Sequence, residues 1–265
     1  MASPTEITVH QLARLIGTPE CPVIIDMRID QDFADDPRLI PTSYRHPHSE
    51  TAALVAGLAG RKVVVSCHKG LKISMGAAAL LRCHGMNAET LEGGHLAWAD
   101  AGQPLIKTTQ NQPLLGSIWV TRHRPKIDRI ACPWLIRRFI DPTAQFLFVA
   151  PSQVQNVAEK FNAIPFDIED VFYSHRGDTC TFDTMLAAFG LDTPALQHLA
   201  TIIRGADTNR HDLAPESAGL LAASLGLSRM FRDDLQQLEA GMALYDAFYR
   251  WARDATGEGH DWPAT

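Results

Sequence analysis

Lys62-Val63-Val64-Val65-Ser66-Cys67-His68-Lys69-Gly70-Leu71-Lys72 passes from an unalternating β-branched run into a short polar turn, and Met75-Gly76-Ala77-Ala78-Ala79-Leu80-Leu81 follows as an Ala-rich apolar segment. A β-branched run without polar alternation fits a strand buried on both faces of a parallel sheet. The Ala-rich segment predicts a helix lying close against that sheet, ended by Gly85. Upstream, Val23-Ile24-Ile25 before Asp26 is a second compact apolar run, and residues 6–17 predict a short amphipathic helix with Leu12, Leu15 and Ile16 on one face. Strand, loop and helix in repetition give an α/β pattern.

Cys67 then sits where a buried strand ends and a helix is about to begin. Successive amides of such a turn, together with the positive end of the helix, favour an anion at the sulfur. That environment suits a nucleophilic thiolate able to carry a persulfide or face an oxyanion, in two-step covalent chemistry. The alternative is a small cysteine packed as a hydrophobe at a strand end. For Lys69, a solvated surface lysine is an equal reading.

Composition bounds the rest. With 265 residues, 46% apolar and 20% charged, the chain has the make-up of an ordinary globular protein of one or two domains. A net charge of −6 argues against a general nucleic-acid binder, although a local basic patch stays open. Five cysteines, none in a C-x-x-C pair, make a poor disulfide framework and fit free thiols in a reducing cytoplasm. No leader-like start and no long apolar run are found, so a cytoplasmic location with no membrane partner is expected. Three segments are expected: a first domain at 1–107, a polar linker at 108–116 and a second domain at 117–265.

The first of these resembles the rhodanese family over about residues 5–105. Ile24-Ile25-Asp26-Met27-Arg28 is similar to the family's strand ending in Asp-x-Arg, and Cys67-His68-Lys69-Gly70-Leu71-Lys72 to its C-x-x-G-x-[RK] loop. Leu91-Glu92-Gly93-Gly94-His95-Leu96-Ala97-Trp98 and Ala101-Gly102-Gln103-Pro104 are similar to its closing motifs. The resemblance implies an α/β fold, a parallel sheet flanked by helices, and sulfur transfer from a donor such as thiosulfate to a thiol acceptor. It makes Cys67 and Lys72 catalytic and places His68, Lys69, Gly70, Leu71, Asp26 and Arg28 at the substrate, with no cofactor. Phosphatase-like loops place Arg six residues after Cys; here Lys72 is five after Cys67, and the shorter loop favours sulfur over phosphate. A Ser commonly follows the loop's basic residue. Ile73 stands there instead, so a hydrogen bond to the sulfur is expected to be lost.

From Trp119 on, helical patterns dominate, at about 133–140, 151–161, 182–189, 194–204 and 229–255. Pro133 suits the first turn of a helix that buries Leu135, Ile136 and Phe139. A mainly α-helical (α+β) domain is expected. The stretch Trp119 to Asp141 carries Arg122, Arg124, Lys126, Arg129, Arg137 and Arg138 against Asp128 and Asp141. This is either an oxyanion or nucleic-acid contact or a set of arginines paired with surplus carboxylates. It resembles the ChrB C-terminal domain, a family associated with chromate resistance. The likeness runs on through 174–183, 202–207 and 215–220, over about 117–250 in all.

The resemblance implies an oxyanion such as chromate or sulfate as partner, with Arg122, Arg129 and Arg138 as binding candidates. The family's usual N-terminal region, which looks regulatory and DNA-binding, is replaced by the rhodanese-like half, so nucleic acid is not expected. His175, Asp183, Asp207 and Glu216, with His211 and Asp212 beside them, are candidate ligands for Zn, Mn or Fe, although for any one of them solvation or capping is the commoner role. Two functions stay open: a sulfurtransferase coupled to an oxyanion- or metal-binding domain, or a non-catalytic chromate or oxyanion sensor or regulator of chromate resistance.

Overall fold

The computed structural model describes residues 4–107 and 115–259. Most of the expected linker, residues 108–114, lies outside them, as do 1–3 and 260–265. The chain divides into two compact units, each described here by itself. Unit 1 comprises Met1–Ser117 with two later pieces, Leu135–Gln145 and Ala188–Leu191; unit 2 holds the remainder. The units are therefore interleaved in sequence rather than separated by one linker.

Unit 1 runs β1 (Glu6–Ile7), α1 (Val9–Leu15), β2 (Val23–Asp26), α2 (Asp30–Asp35), β3 (Tyr44–Arg45), α3 (Val55–Leu58), β4 (Lys62–Ser66), α4 (Lys72–Cys83), β5 (Asn87–Leu91) and α5 (Gly94–Asp100). The strands form one parallel sheet in the order β1-β5-β4-β2-β3. Central β4 pairs Val63 with Val23 on one side and with Ala88 on the other. Ile24, Ile25, Val63, Val64 and Val65 are wholly buried, which explains why both runs lack alternation. Each such side chain contributes about 1.5–3 kcal/mol on burial. Ala77, Ala78 and Leu81 of α4 close one face of this core. Where residues 6–17 predict a single helix, Glu6 and Ile7 instead pair with Thr90 and Leu91, and α1 starts at Val9. Thr8 caps it: its hydroxyl accepts from the Gln11 amide, and the Gln11 side chain returns the bond.

Unit 2 holds β6 (Ile118–Arg122), α6 (Asp128–Leu135), β7 (Gln145–Val149), α7 (Val154–Phe161), β8 (Ile164–Pro165), α8 (Thr181–Phe189), α9 (Pro194–Asp207), α10 (Ser217–Met230) and α11 (Asp234–Asp254), with a few of their end residues counted in unit 1. It is mainly helical, with a three-stranded sheet ordered β7-β6-β8. Helices α9, α10 and α11 pack on one another. The helix expected from Pro133 starts five residues earlier, at Asp128, so Pro133 lies inside it; a π turn, Ile136–Ile140, follows. Trp134 is fully buried among Phe182, Tyr245 and Tyr249, and its Nε1 donates to Asp246 at 2.8 Å. Thr193 caps α9, and Pro194 occupies its first turn.

Candidate active site and candidate metal centre

Cys67 follows β4 directly, at the carboxyl end of the middle strand of a parallel sheet, where open α/β sheets place their ligand crevices. Two glycines let the turn fold tightly. Gly70 has φ +66°, and a Cβ there would lie 2.5 Å from the Leu91 carbonyl oxygen and 2.6 Å from the Gly94 nitrogen. Gly94 has φ +61°, and its Cβ would lie 2.2 Å from the Cys67 carbonyl oxygen. The amides of His95 and Leu96, at the start of α5, donate to the carbonyls of Cys67 and His68 at 2.9 and 3.0 Å. The turn's oxygens are thus tied down on the α5 side. Among the described residues, none of the amides of His68, Lys69, Gly70 and Leu71 reaches a protein acceptor. Turn amides without a protein acceptor, next to the first residue of a helix, are the kind of donor that suits an anion.

Cys67 is 5% exposed, and its Sγ lies 3.1 Å from Ser74 Oγ. Ser74, one residue later than the family pattern places it, supplies the hydrogen bond that Ile73 was expected to cost. Cys67 lines an open cavity of about 510 Å³ with Asp32, His68, Lys69, Leu71, Lys72 and Ile73. Lys69 and Lys72 are exposed at its rim, and His68 Nδ1 is buried there without a protein partner.

Asp26 and Arg28 are placed differently from the expectation that they meet substrate. They form a buried ion pair, Arg28 Nη2 to Asp26 Oδ2 at 2.6 Å, with Arg28 Nε also donating to both carboxylate oxygens. Nη1 and Nη2 also donate to the carbonyls of Asp36 and Arg38, both at 2.7 Å. The guanidinium is consumed in holding residues 36–38, so the pair shapes the fold beside the site. His95 joins the same arrangement through Asp36, Nε2 to Oδ2 at 3.1 Å.

In unit 2 a second constellation converges from four places in the chain: Asp128 at the start of α6, Asp167 after β8, His175 in a loop, and Asp207 at the end of α9. His175 Nε2 lies 3.5 Å from Asp128 Oδ2, 3.4 Å from Asp167 Oδ1 and 3.2 Å from Asp207 Oδ2. Asp128 is 1% exposed and also takes the amides of Thr181 and Phe182 at 2.6 and 3.3 Å, which fixes it at the positive end of α8. The backbone before it is strained: Ile127, β-branched, has φ +42° and is held by the Ser224 and Tyr245 hydroxyls. Asp167 pairs with Arg122 at 3.1 Å and Arg129 at 3.2 Å.

The electrostatics follow. Three carboxylates, Asp128 first, push the His175 imidazole up to about 12. Burial raises Asp128 to about 7 against the opposing pull of His175. Burial raises Asp167 too, but His175, Arg129 and Arg122 outweigh it and the net shift is downward.

Residues 119–252, half of the chain, match the family model of the ChrB C-terminal domain. The chain belongs to the ChrB C-terminal domain family. Protein ChrB of Cupriavidus metallidurans is 38% identical over 136 residues, 51% of this chain and 40% of that protein, so the chain spans well under half of that relative's length. Among solved structures, a rhodanese-related protein from Thermoplasma volcanium is 25% identical, covers 38% of this chain and 95% of its own, and has a TM-score of 0.33. A rhodanese-like domain protein from Staphylococcus aureus is 24% identical, covers 40% and 99%, and has a TM-score of 0.35.

The constellation therefore lies inside the ChrB C-terminal domain. Of the ligands expected there, His175 and Asp207 come together. Asp183 and Glu216 stand outside the group: Asp183 accepts the Cys180 amide at 3.0 Å and pairs with Arg204 at 2.8 Å, as a cap of α8 does. Glu216 sits just before α10 with one buried oxygen lacking a protein partner. Asp128 joins His175 and Asp207, with Asp167 alongside; neither was foreseen, because nothing local in the sequence sets these two apart from other acids. The domain's basic stretch does not form one patch. Arg122 and Arg129 brace Asp167, while Arg124 bonds the carbonyls of Ser228 and Phe231. Arg138 belongs to unit 1, where it lines a cavity of about 390 Å³ with Cys21, Thr42, Arg61 and Arg137.

Proposed function

We propose that this chain is a sulfurtransferase whose Cys67 carries sulfane sulfur as a persulfide. The Cys67 thiolate attacks the outer sulfur of a donor such as thiosulfate. The donor's S–S bond breaks, sulfite leaves with the electron pair, and Cys67 holds S–S⁻. A thiol acceptor then attacks the terminal sulfur, the new S–S bond breaks, and the Cys67 thiolate returns with no net oxidation or reduction. The observation that carries this reading is the Cys67 thiol at the carboxyl end of the central strand, lining an open cavity with Lys69 and Lys72; turn amides without a protein acceptor would suit a persulfide anion and the sulfonate end of the donor.

Lys69 and Lys72 at the rim of the cavity would draw the dianionic donor in. Ser74, at 3.1 Å, would hold the sulfur's rotamer and its charge. The tight turn, with its basic residue five after Cys67, favours a sulfur-sized anion over phosphate. A ChrB C-terminal domain in the same chain fits sulfur-dependent handling of a toxic oxyanion such as chromate. The test is steady-state turnover with thiosulfate as donor and a small thiol or cyanide as acceptor. Turnover that disappears in Cys67→Ser supports the reading. No turnover with any acceptor, together with tight chromate or sulfate binding, would favour a binding protein instead.

A further inference from the structure

One imidazole nitrogen faces three carboxylate oxygens, at 3.2, 3.4 and 3.5 Å. An imidazole N–H carries one proton and serves one acceptor well. Three oxygens at these lengths, all near or beyond the upper end of an ordinary N–H···O bond, are not a hydrogen-bonding solution. They do match another geometry. Nitrogen and oxygen ligands stand about 2.0–2.2 Å from a zinc-sized ion, which puts neighbouring ligand atoms about 3.0–3.5 Å apart. One ligand atom from each of Asp128, His175 and Asp207 falls within a sphere of mutual separations under 4.8 Å.

We propose that Asp128, His175 and Asp207 form a site for one divalent transition-metal ion, braced by Asp167. Charge supports the division of labour. Two carboxylates and a neutral imidazole balance a divalent ion, while Asp167 is already compensated by Arg122 and Arg129. Asp128 is oriented as a carboxylate bound to a metal normally is, by outer donors: the Thr181 and Phe182 amides grip it. Thr181 Oγ1 does the same for Asp167 at 3.0 Å. Asp207 and His175 are partly exposed, so the site is open on one side and keeps coordination positions for water or an oxyanion. Mixed His and carboxylate donors without thiolate suit Mn(II), Fe(II) or Zn(II).

The test uses the full chain, stripped with a chelator, and titrated with Mn(II) by electron paramagnetic resonance and with Zn(II) by calorimetry. One ion per chain is expected for at least one metal. His175→Gln and Asp207→Asn, both at partly exposed positions, should each weaken binding by tenfold or more while keeping the far-ultraviolet spectrum of the parent. Asp183→Asn, outside the group, and Cys67→Ser, in unit 1, should bind as the parent does. Absence of binding by both metals, or equal binding in the parent and both ligand variants, overturns the proposal. Asp128→Asn is not used as the decisive variant, because it also caps α8.

Discussion

Ser74 Oγ sits 3.1 Å from Cys67 Sγ and 3.2 Å from the Leu71 carbonyl oxygen, and its one proton serves the carbonyl beside a thiol and the sulfur beside a thiolate. The hydroxyl thus links the sulfur to the turn that precedes α4. Ser74 is fully buried and small, so Ser74→Ala removes the bond with little change in packing. The expected effect is a five- to thirtyfold fall in kcat/KM with thiosulfate, corresponding to a charge-assisted bond of about 1–2 kcal/mol. Steady-state kinetics on the folded variant checks it; an unchanged value would remove Ser74 from the chemistry.

The close approach of Gly70 and Gly94 makes a sharper case. Gly94→Ala would drive a Cβ to 2.2 Å from the Cys67 carbonyl, and Gly70→Ala would bring one to 2.5 Å from Leu91, both on left-handed backbone. Each is expected to cost several kcal/mol of stability and to abolish turnover. Gly76→Ala, in α4 with open space around it, should instead stabilise by about 0.5–1 kcal/mol. Urea unfolding of the three variants separates these outcomes.

For Asp26 and Arg28 the structure predicts a stability effect rather than a substrate effect. Arg28→Met strands a buried carboxylate, which costs about 3–5 kcal/mol. Any variant that remains folded at low temperature should keep its KM for thiosulfate. A variant as stable as the parent but with a raised KM would return the pair to the substrate site.

Burial raises the Cys21 thiol to about 11, against the Thr42 hydrogen bond and Arg138, which pull it down. The folded thiol holds its proton to higher pH than the unfolded one. Between about pH 9 and 11 the unfolded chain therefore binds fewer protons, and stability falls as pH rises. Cys21→Ala removes this contribution. The parent's stability relative to the variant should drop, by at most about 2.5 kcal/mol, between pH 8 and pH 11. Chemical denaturation at the two pH values measures it.

The Cys67 turn was legible in sequence because Cys67 to Lys72 is contiguous and its flanking strand and helix announce themselves. The Ser74 bond was not, because a one-residue shift along the first turn of α4 changes which side chain faces the sulfur. The His175 centre is harder still. Its three acids and one base come from α6, a loop after β8, another loop and the end of α9, and only the fold brings them together. Asp183 and Glu216, read as ligands, lie next to helix starts, where carboxylates more often cap. Strands β1 and β8 have two residues each, too short for any periodicity to show.

The most direct test of the account is the intact mass of the protein after brief exposure to thiosulfate and removal of excess donor. One added sulfur atom, mapped to the Cys67 peptide, released by a thiol reductant and absent in Cys67→Ser, is the predicted result. A parent mass that stays unchanged, or an adduct that persists in Cys67→Ser, would contradict it.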